Sequence, residues 1–364
     1  MKSKIFFMER AINLARKGVY TTSPNPLVGC VIAEHNKILS EGYHYKSGSE
    51  HAEIIALKKL KKKTNKNISM FINLEPCCHH GKTGPCTESI INSGIKNIYI
   101  SMLDPNPMVR GKGVKYLRSN GISVKIGLCK DSARLLNKSY ILRMNNKTPY
   151  VVAKQALSID SKISLPSKNK WISCNESRID SQYLRAKACA ILVGSKTVIK
   201  DNPELNVRLS KKDLGIKSEI RQPIRIVLDT NLKLNVNKYK FFKGSEKKIV
   251  FNSISSSFNE KKNIDFVKIK NNKDGLSINA IFRILAEKYE INNLMIEPGS
   301  KLLSTLLSKN FLDELVLYYC PIYIGKSGLN FINIKENVFN NQSITVDSVK
   351  KISNDVRITY KLKR

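Results

Sequence analysis

Two short segments carry the residues best suited to metal chemistry: His51-Ala52-Glu53, and Pro76-Cys77 through Cys86. One imidazole and two thiolates meet the ligand count of a catalytic zinc site, where about three protein ligands leave a position for water. Zinc lowers the pKa of such a water toward about 7, which makes a nucleophile available at neutral pH. Glu53 lies two residues beyond His51, near enough to move a proton without ligating. His-x-Glu followed by Pro-Cys-x-x-Cys is the pattern of zinc nucleobase deaminases, with the glutamate as acid and base. The short form of that pattern is broken here, because His80 stands three residues after Cys77 and the next cysteine that fits is Cys86. Both are candidates for the third ligand. Cys86 is preferred, since it opens a predicted helix whose dipole and free N–H groups favour a thiolate. His79 and His80 are then available to substrate. Taken singly, a His-x-Glu is an ordinary helix surface and a buried cysteine is ordinary core; their conjunction at a helix start and a strand end argues for a site. A structural zinc knot with His79 or His80 as fourth ligand is the non-enzymatic alternative.

The elements that must position these residues can be read from periodicity. An opening helix places Phe6, Phe7, Ala11, Leu14 and Ala15 on one face, and Gly18 closes it. Val28 to Ile32 is strand-like, with His35-Asn36 as a hairpin turn into Ile38-Leu39. Residues 51–60 read as a helix, 70–74 as a strand, 87–93 as a helix and 98–100 as a strand. Helix 114–119, strand 122–126 and helix 131–143 follow. Helices between successive strands predict a largely parallel sheet covered on its faces. The polar Asn145-Asn146-Lys147 marks a boundary near residue 146. Beyond it the alternation resumes: strand 150–153, helix 176–187, strand 190–193, helix 196–200, strands 224–228, 248–251 and 266–269, helix 277–289, strand 294–296, helix 302–307 and strand 315–319. Residues 209–219 read as a loop.

The chain has 364 residues, which exceeds one ordinary core and predicts two domains. It has no apolar run of membrane-spanning length, and its N-terminal apolar patch is too short for a signal peptide, so a cytoplasmic protein is expected. The net charge is +34, from 63 Lys and Arg against 29 Asp and Glu. The lysines are dispersed and lack interleaved aromatics, which reads as compositional bias rather than a nucleic-acid surface. Of the eight cysteines, Cys77, Cys78 and Cys86 cluster beside histidines and the rest are expected as free thiols.

At the metal segments the sequence resembles the bifunctional riboflavin-biosynthesis deaminase/reductase family. The carrying stretches are Thr22-Ser23-Pro24-Asn25-Pro26-Leu27-Val28-Gly29-Cys30, Gly42-Tyr43-His44, His51-Ala52-Glu53, Leu74-Glu75-Pro76-Cys77-Cys78-His79-His80-Gly81-Lys82-Thr83-Gly84-Pro85-Cys86 and Asp104-Pro105-Asn106-Pro107. The long gap between Cys77 and Cys86 is the spacing this family uses. The resemblance implies an α/β chain of two domains, a cytidine-deaminase-like three-layer domain over 1–146 and a dihydrofolate-reductase-like domain over 147–364. It implies zinc on His51, Cys77 and Cys86, Glu53 as proton shuttle, and Asn25, His44, His79 and Lys82 as substrate contacts. The substrate would be a diaminopyrimidinone carrying a phosphoribosylamino group. The second domain would then reduce the ribose to a ribityl chain with NADPH. The family's pattern places that cofactor along Gln155, Trp171, Thr197, Asp201, Thr230 and the turn Gly299, Ser300, Lys301, Leu302, Leu303, Ser304 and Thr305. It places the reductase substrate along Lys154, Asn169, Arg185, Leu205, Arg208 and Glu297.

A helix N-terminus at Gly299 suits a phosphate, and two arginines suit another; no Gly-x-Gly-x-x-Gly turn supports a Rossmann site. The chain departs from the family at Ser161 and Pro298, where Gly, and Gly or Ala, are usual, and at Gly84, where Pro is usual. Proline lacks an N–H, so Pro298 is expected to weaken a phosphate cradle. The expected partner is a small molecule, with no nucleic acid and no membrane; a homo-oligomer is compatible with the sequence. The competing reading is a nucleic-acid deaminase using the same zinc centre, which gives residues 147–364 no role.

Overall fold

The computed structural model describes residues 3–61, 67–78, 84–164, 171–272, 275–334 and 344–363. The chain divides into two compact units, 1–147 and 148–364.

The first unit runs α1 (Lys4–Arg16), β1 (Gly29–Glu34), β2 (Lys37–Tyr43), α2 (Ala52–Lys59), β3 (Ile68–Ile72), α3 (Cys86–Asn92), β4 (Asn97–Ile100), α4 (Lys112–Ser119), β5 (Ser123–Ile126), α5 (Lys130–Leu136) and α6 (Lys138–Asn146). Its sheet has the order β2-β1-β3-β4-β5. Strand residues alternate between two apolar layers, as a strand's period of two requires. Cys30, Ile32, Met70, Ile72, Ile98 and Ile100 pack with α2, α3 and α4. Val31, Ala33, Phe71 and Tyr99 pack with α1 and α5. The result is a three-layer sandwich with helices on both faces.

The expected largely parallel sheet is corrected to a mixed one. β1 is antiparallel to both β2 and β3, and only β3-β4 and β4-β5 are parallel. The two-residue turn His35-Asn36, with His35 at φ 50°, forces the first reversal. Phe6 is 39% exposed and lies off the core face, while Met8 and Ile12 are buried on it. The single helix expected over 131–143 is broken at Asn137, whose side chain accepts from Leu27 N and donates to Leu27 O. Two glycines set how close the helices come. A Cβ on Gly29 would lie 2.0 Å from Ala11 O, and one on Gly42 would lie 2.4 Å from Ala52 O. Only a residue without a side chain lets α1 and α2 approach the sheet this closely.

The second unit runs β6 (Tyr150–Ser158), α7 (Asn175–Lys187), β7 (Ala190–Gly194), α8 (Ser195–Asp201), α9 (Lys211–Leu214), β8 (Ile224–Leu228), β9 (Lys248–Asn252), β10 (Ser257–Asn259), β11 (Ile264–Lys268), the ribbon β12 (Asn271–Asn272) and β13 (Gly275–Leu276), α10 (Ile278–Glu287), β14 (Asn293–Ile296), α11 (Ser300–Ser308), β15 (Glu314–Cys320), β16 (Ile344–Ile352) and β17 (Asp355–Leu362). Ten strands form one sheet in the order β10-β11-β9-β8-β7-β14-β6-β15-β17-β16. The strands from β11 to β15 in that order are parallel, with antiparallel pairs at both margins. One face packs on α10 and α11 through Ile281, Phe282, Leu303 and Leu306, the other on Val198, Phe241 and Phe242.

The loop expected over 209–219 contains the one-turn helix α9, started by a capping box between Ser210 and Asp213. The terminal hairpin β16-β17 was not anticipated. β16 is an edge strand exposed along nearly its whole length, so it has no apolar alternation to read. Among the described residues no helix is long and apolar enough to cross a membrane, and none of the eight cysteines is in a disulfide.

Candidate active sites

In the first unit, two secondary-structure junctions converge. His51 is the N-cap of α2 in an extended conformation, and its ring is not used for capping. Cys86 is the first residue of α3, and Cys77 lies in the segment leading from β3 toward it. That segment is pinned across the gap: Thr87 N donates to Cys77 O at 3.2 Å and Cys86 N to Cys77 Sγ at 3.4 Å. His51 Nδ1 lies 3.1 Å from Cys86 Sγ and 3.5 Å from Cys77 Sγ, and the three donor atoms fall within 4.8 Å of one another. Tetrahedral zinc with Zn–S near 2.3 Å and Zn–N near 2.0 Å spaces its ligands about 3.5 Å apart, so this cluster fits the ion. It is the only such group of three among the described residues. His80, the other candidate ligand, lies outside the described residues with His79 and Lys82.

The electrostatics suit a cation. The Cys86 thiol donates toward Cys77, and with help from His51 this holds the Cys77 sulfur below the ordinary thiol range despite burial. The bond to Cys77 in turn raises His51. Glu53, in the first turn of α2, is 3% exposed, and its Oε2 has no hydrogen-bond partner among the described residues. Burial pushes its carboxyl up to about 7, against the pull of His51. A buried carboxylate oxygen left without a protein partner is costly unless a ligand or water completes it.

Asn25 and His44 meet beside this cluster. Asn25 Nδ2 lies 3.0 Å from His44 Nε2, and His44 Nδ1 lies 3.1 Å from Glu50 O. Both ring nitrogens are thus used within the protein when Nδ1 carries the proton. Burial lowers the His44 pKa, which favours this neutral form. The His44 ring meets His51 edge-on at 5.4 Å between centroids.

Glu75 is a residue the sequence reading missed. Its buried carboxylate accepts from Asp104 N at 3.1 Å, Gly111 N at 2.9 Å and Val114 N at 3.0 Å. It ties the segment after β4 to the strand end from which Cys77 emerges. The only signal was its place next to Pro76-Cys77.

In the second unit a cavity of about 1840 Å³ opens beside the ends of β6, β7, β8 and β14. Of the residues expected at cofactor and substrate, all line this cavity except two. Leu303 is corrected: it is 1% exposed and packs in the core on the inner face of α11. Asn169 lies outside the described residues. Arg185 donates from Nη2 to Glu297 Oε1 at 2.7 Å and from Nη1 to Asn206 O at 2.9 Å, while its buried Nε has no partner among the described residues. Burial would raise Glu297, but Arg185 and Lys154 outweigh it and hold the carboxyl at about 2. Arg208 is exposed to the cavity, and among the described residues no carboxylate pairs with it. Burial and the neighbouring Arg185 lower its pKa.

The expectation that Pro298 weakens the phosphate cradle is not supported by geometry. Gly299 is the N-cap of α11, and its carbonyl accepts from Leu303 N at 3.0 Å. The free first-turn N–H groups therefore come from Ser300 onward, and Pro298 removes none of them. Ser161, the other departure, takes φ 59°, a left-handed conformation that explains why glycine is usual there. Gln182 and Ser181 on α7 also line the cavity and were missed; the spacing Arg178, Ser181, Gln182, Arg185 on one helix face was the available signal.

The model of the cytidine and deoxycytidylate deaminase zinc-binding region matches residues 1–102, and that of the RibD C-terminal domain matches residues 149–358. The chain is 36% identical over 363 residues to the riboflavin biosynthesis protein RibD of Aquifex aeolicus, covering 98% of this chain and 97% of that protein. It is 36% identical over 326 residues to RibD of Escherichia coli, covering 88% of each. Among solved structures, Acinetobacter baumannii RibD superposes with a TM-score of 0.88 at 31% identity over 99% of both chains. A Thermotoga maritima diaminohydroxyphosphoribosylaminopyrimidine deaminase/5-amino-6-(5-phosphoribosylamino)uracil reductase superposes at 0.85, with 31% identity and 98% coverage of both. These matches give residues 149–358 a place that the nucleic-acid reading denied them, and they favour the two-step enzyme over it.

Proposed function

The chain belongs to the RibD family, the bifunctional deaminase/reductases of riboflavin biosynthesis, and from that premise we propose how its own residues divide the two reactions. His51, Cys77 and Cys86 would hold zinc, which when bound would supply Lewis acidity and lower the pKa of a water for attack on the pyrimidine ring. Glu53 Oε2 takes the proton from that water and delivers it to the leaving amino nitrogen, which departs as ammonia. Asn25, held by His44, contacts the base, and His79 and Lys82 contribute substrate contacts. The substrate is 2,5-diamino-6-(5-phosphoribosylamino)pyrimidin-4(3H)-one.

The second unit reduces the ribosyl group of the deaminated product to ribityl, giving 5-amino-6-(5-phosphoribitylamino)uracil. NADPH, when bound, would supply the hydride. A small-molecule pocket usually measures about 300–1,000 Å³, so a cavity of about 1840 Å³ has room for a dinucleotide and a substrate together. The α11 N-terminus around Gly299 and Ser300 suits a cofactor phosphate, and Trp171, Thr197, Asp201 and Thr230 line the same cavity. Glu297 and Lys154 bind at the ribose end, and Arg208, which has no carboxylate partner among the described residues, takes the substrate phosphate.

The observation that carries the reading is the placement of the buried Glu53 Oε2, without a hydrogen-bond partner among the described residues, in the first turn of α2 two residues beyond His51 of the three-donor cluster. A structural zinc knot has no use for it. The test is one incubation of the zinc-loaded enzyme with the diaminopyrimidinone phosphate, with and without NADPH, followed by product mass. The expected results are loss of an amino group in both, and gain of two hydrogens only with NADPH. Unchanged substrate sinks the proposal, and so does hydrogen gain without loss of the amine.

A further inference from the structure

Residues 203–209 form an arm with no regular secondary structure, yet Leu205 and Val207 on it are 2% and 5% exposed. Its backbone polar groups cannot be satisfied by a helix or a ladder, so side chains must do it. They do so residue by residue. Arg225 Nη1 donates to Glu204 O at 3.1 Å, and Arg185 Nη1 donates to Asn206 O at 2.9 Å. The Gln222 amide closes a ring on Val207, accepting from its N at 2.7 Å and donating to its O at 3.2 Å. Gln182 Oε1 accepts from Arg208 N at 3.0 Å. Leu205 is held at φ 57°, a conformation that an unbranched arm would leave if released.

Gln182 is 7% exposed on α7, one turn before Arg185, and its acceptor ends on the backbone of Arg208, whose exposed side chain lines the cavity. A long cationic side chain loses rotamer freedom when it binds an anion. Fixing its backbone beforehand removes part of the remaining cost of ordering the arm.

We propose that Gln182 and Gln222 are positioning residues for the reductase step: their side-chain amides pin Arg208 and Val207 so that the Arg208 guanidinium is presented to the phosphate of the phosphoribosylaminouracil substrate. Neither glutamine touches the reacting atoms. The proposal rests on the reading of Arg208 as the phosphate-binding residue, and its test separates the two.

The full-length enzyme is assayed for NADPH oxidation with the deaminated substrate supplied directly, and inorganic phosphate serves as a competitive probe of the anion site. Gln182→Met keeps the length and helix preference of the side chain and removes the acceptor. The expected result is a rise in substrate KM of about tenfold with kcat within about twofold, the pattern of lost binding rather than lost chemistry. Inhibition by phosphate weakens in parallel. Arg208→Ala raises KM at least as far, and adding Gln182→Met to it has little further effect, because the two act through one contact. Gln222→Met is a second, independent route to the same displacement and moves KM in the same direction. The clamp is overturned if Arg208→Ala raises KM while both glutamine variants leave it unchanged, if they lower kcat instead, or if their effects add fully to that of Arg208→Ala. If Arg208→Ala itself leaves KM and phosphate inhibition unchanged, the phosphate reading of Arg208 falls, and the clamp falls with it.

Discussion

Arg185 Nη2 stands 2.7 Å from Glu297 Oε1, joining the inner face of α7 to the end of β14 through a pair whose side chains are 9% and 20% exposed. The sequence offered both residues as substrate contacts, and the structure shows that each is first of all a contact of the other. Removing one partner of a largely buried ion pair leaves the second uncompensated, which costs more than the pair is worth. Arg185→Met is therefore expected to abolish measurable reductase turnover and destabilise the second unit. Deamination by the same chain should persist, and equal loss of both activities would contradict the assignment.

The same pair gives a pH dependence with a definite sign. Glu297 is held at about 2, below its ordinary 4.5. A depressed carboxyl contributes stability that is fully present above the unfolded value and lost as pH falls through the folded value. The second unit should thus lose stability between about pH 4.5 and pH 2, and Glu297→Gln should flatten the loss in that window. Urea unfolding of the wild type and the variant at several pH values measures the difference. Parallel curves would show that Arg185 does not hold Glu297 ionised.

At the zinc centre, Glu53→Gln keeps size and removes the titrating oxygen. Zinc content and fold should be unchanged while deamination falls by about 10²–10⁴-fold, the usual weight of general acid–base catalysis. Reduction of separately supplied deaminated substrate should continue. Cys86→Ser, in contrast, should lower zinc content as well as turnover. Metal analysis alongside ammonia release distinguishes the two, and a Glu53→Gln enzyme that deaminates normally would show that Glu53 is not the proton shuttle.

What was legible in the sequence follows from range. His51 and Glu53 lie in one short segment and Cys77 and Cys86 in another, each local enough for a motif to name them. The cores of β7, β8 and β14 read as short apolar runs because both faces are buried. By contrast, Gln182 accepts from Arg208 N and Glu75 from Gly111 N, contacts that folding makes between residues distant in the chain and that periodicity does not pair. The β16-β17 hairpin was missed because Ile344, Val346 and Val349 are exposed on an edge strand rather than alternating into a core. The direction of β1 relative to β3 was missed because periodicity defines strands and not their pairing.

The approach of α2 to the sheet can be tested at Gly42. A Cβ there would meet Ala52 O at 2.4 Å and Ala56 N at 2.8 Å, both backbone atoms that cannot rotate away. Gly42→Ala must therefore push α2 outward, and α2 carries Glu53 and begins at His51. A destabilisation of about 1–3 kcal/mol is expected for such overpacking, together with weaker zinc binding and slower deamination.

Ser161 offers the opposite sign. It sits at φ 59° between Asp160, whose carboxylate accepts from Ile324 N and Gly325 N, and Lys162, whose N donates to Ser158 Oγ. The turn is thus fixed by its neighbours, and the Ser161 backbone is held in the left-handed region whether or not its side chain suits it. A non-glycine residue there costs roughly 1–2 kcal/mol, against which glycine brings extra freedom to the unfolded chain, worth about 0.4–1 kcal/mol in the other direction. The steric term is the larger, so Ser161→Gly should stabilise the second unit by up to about 1 kcal/mol and leave deamination unaffected. Thermal unfolding of the full chain, followed at the transition that NADPH shifts, reads this directly. A lowered midpoint for that transition would show that the Ser161 side chain supplies a contact outweighing its backbone strain.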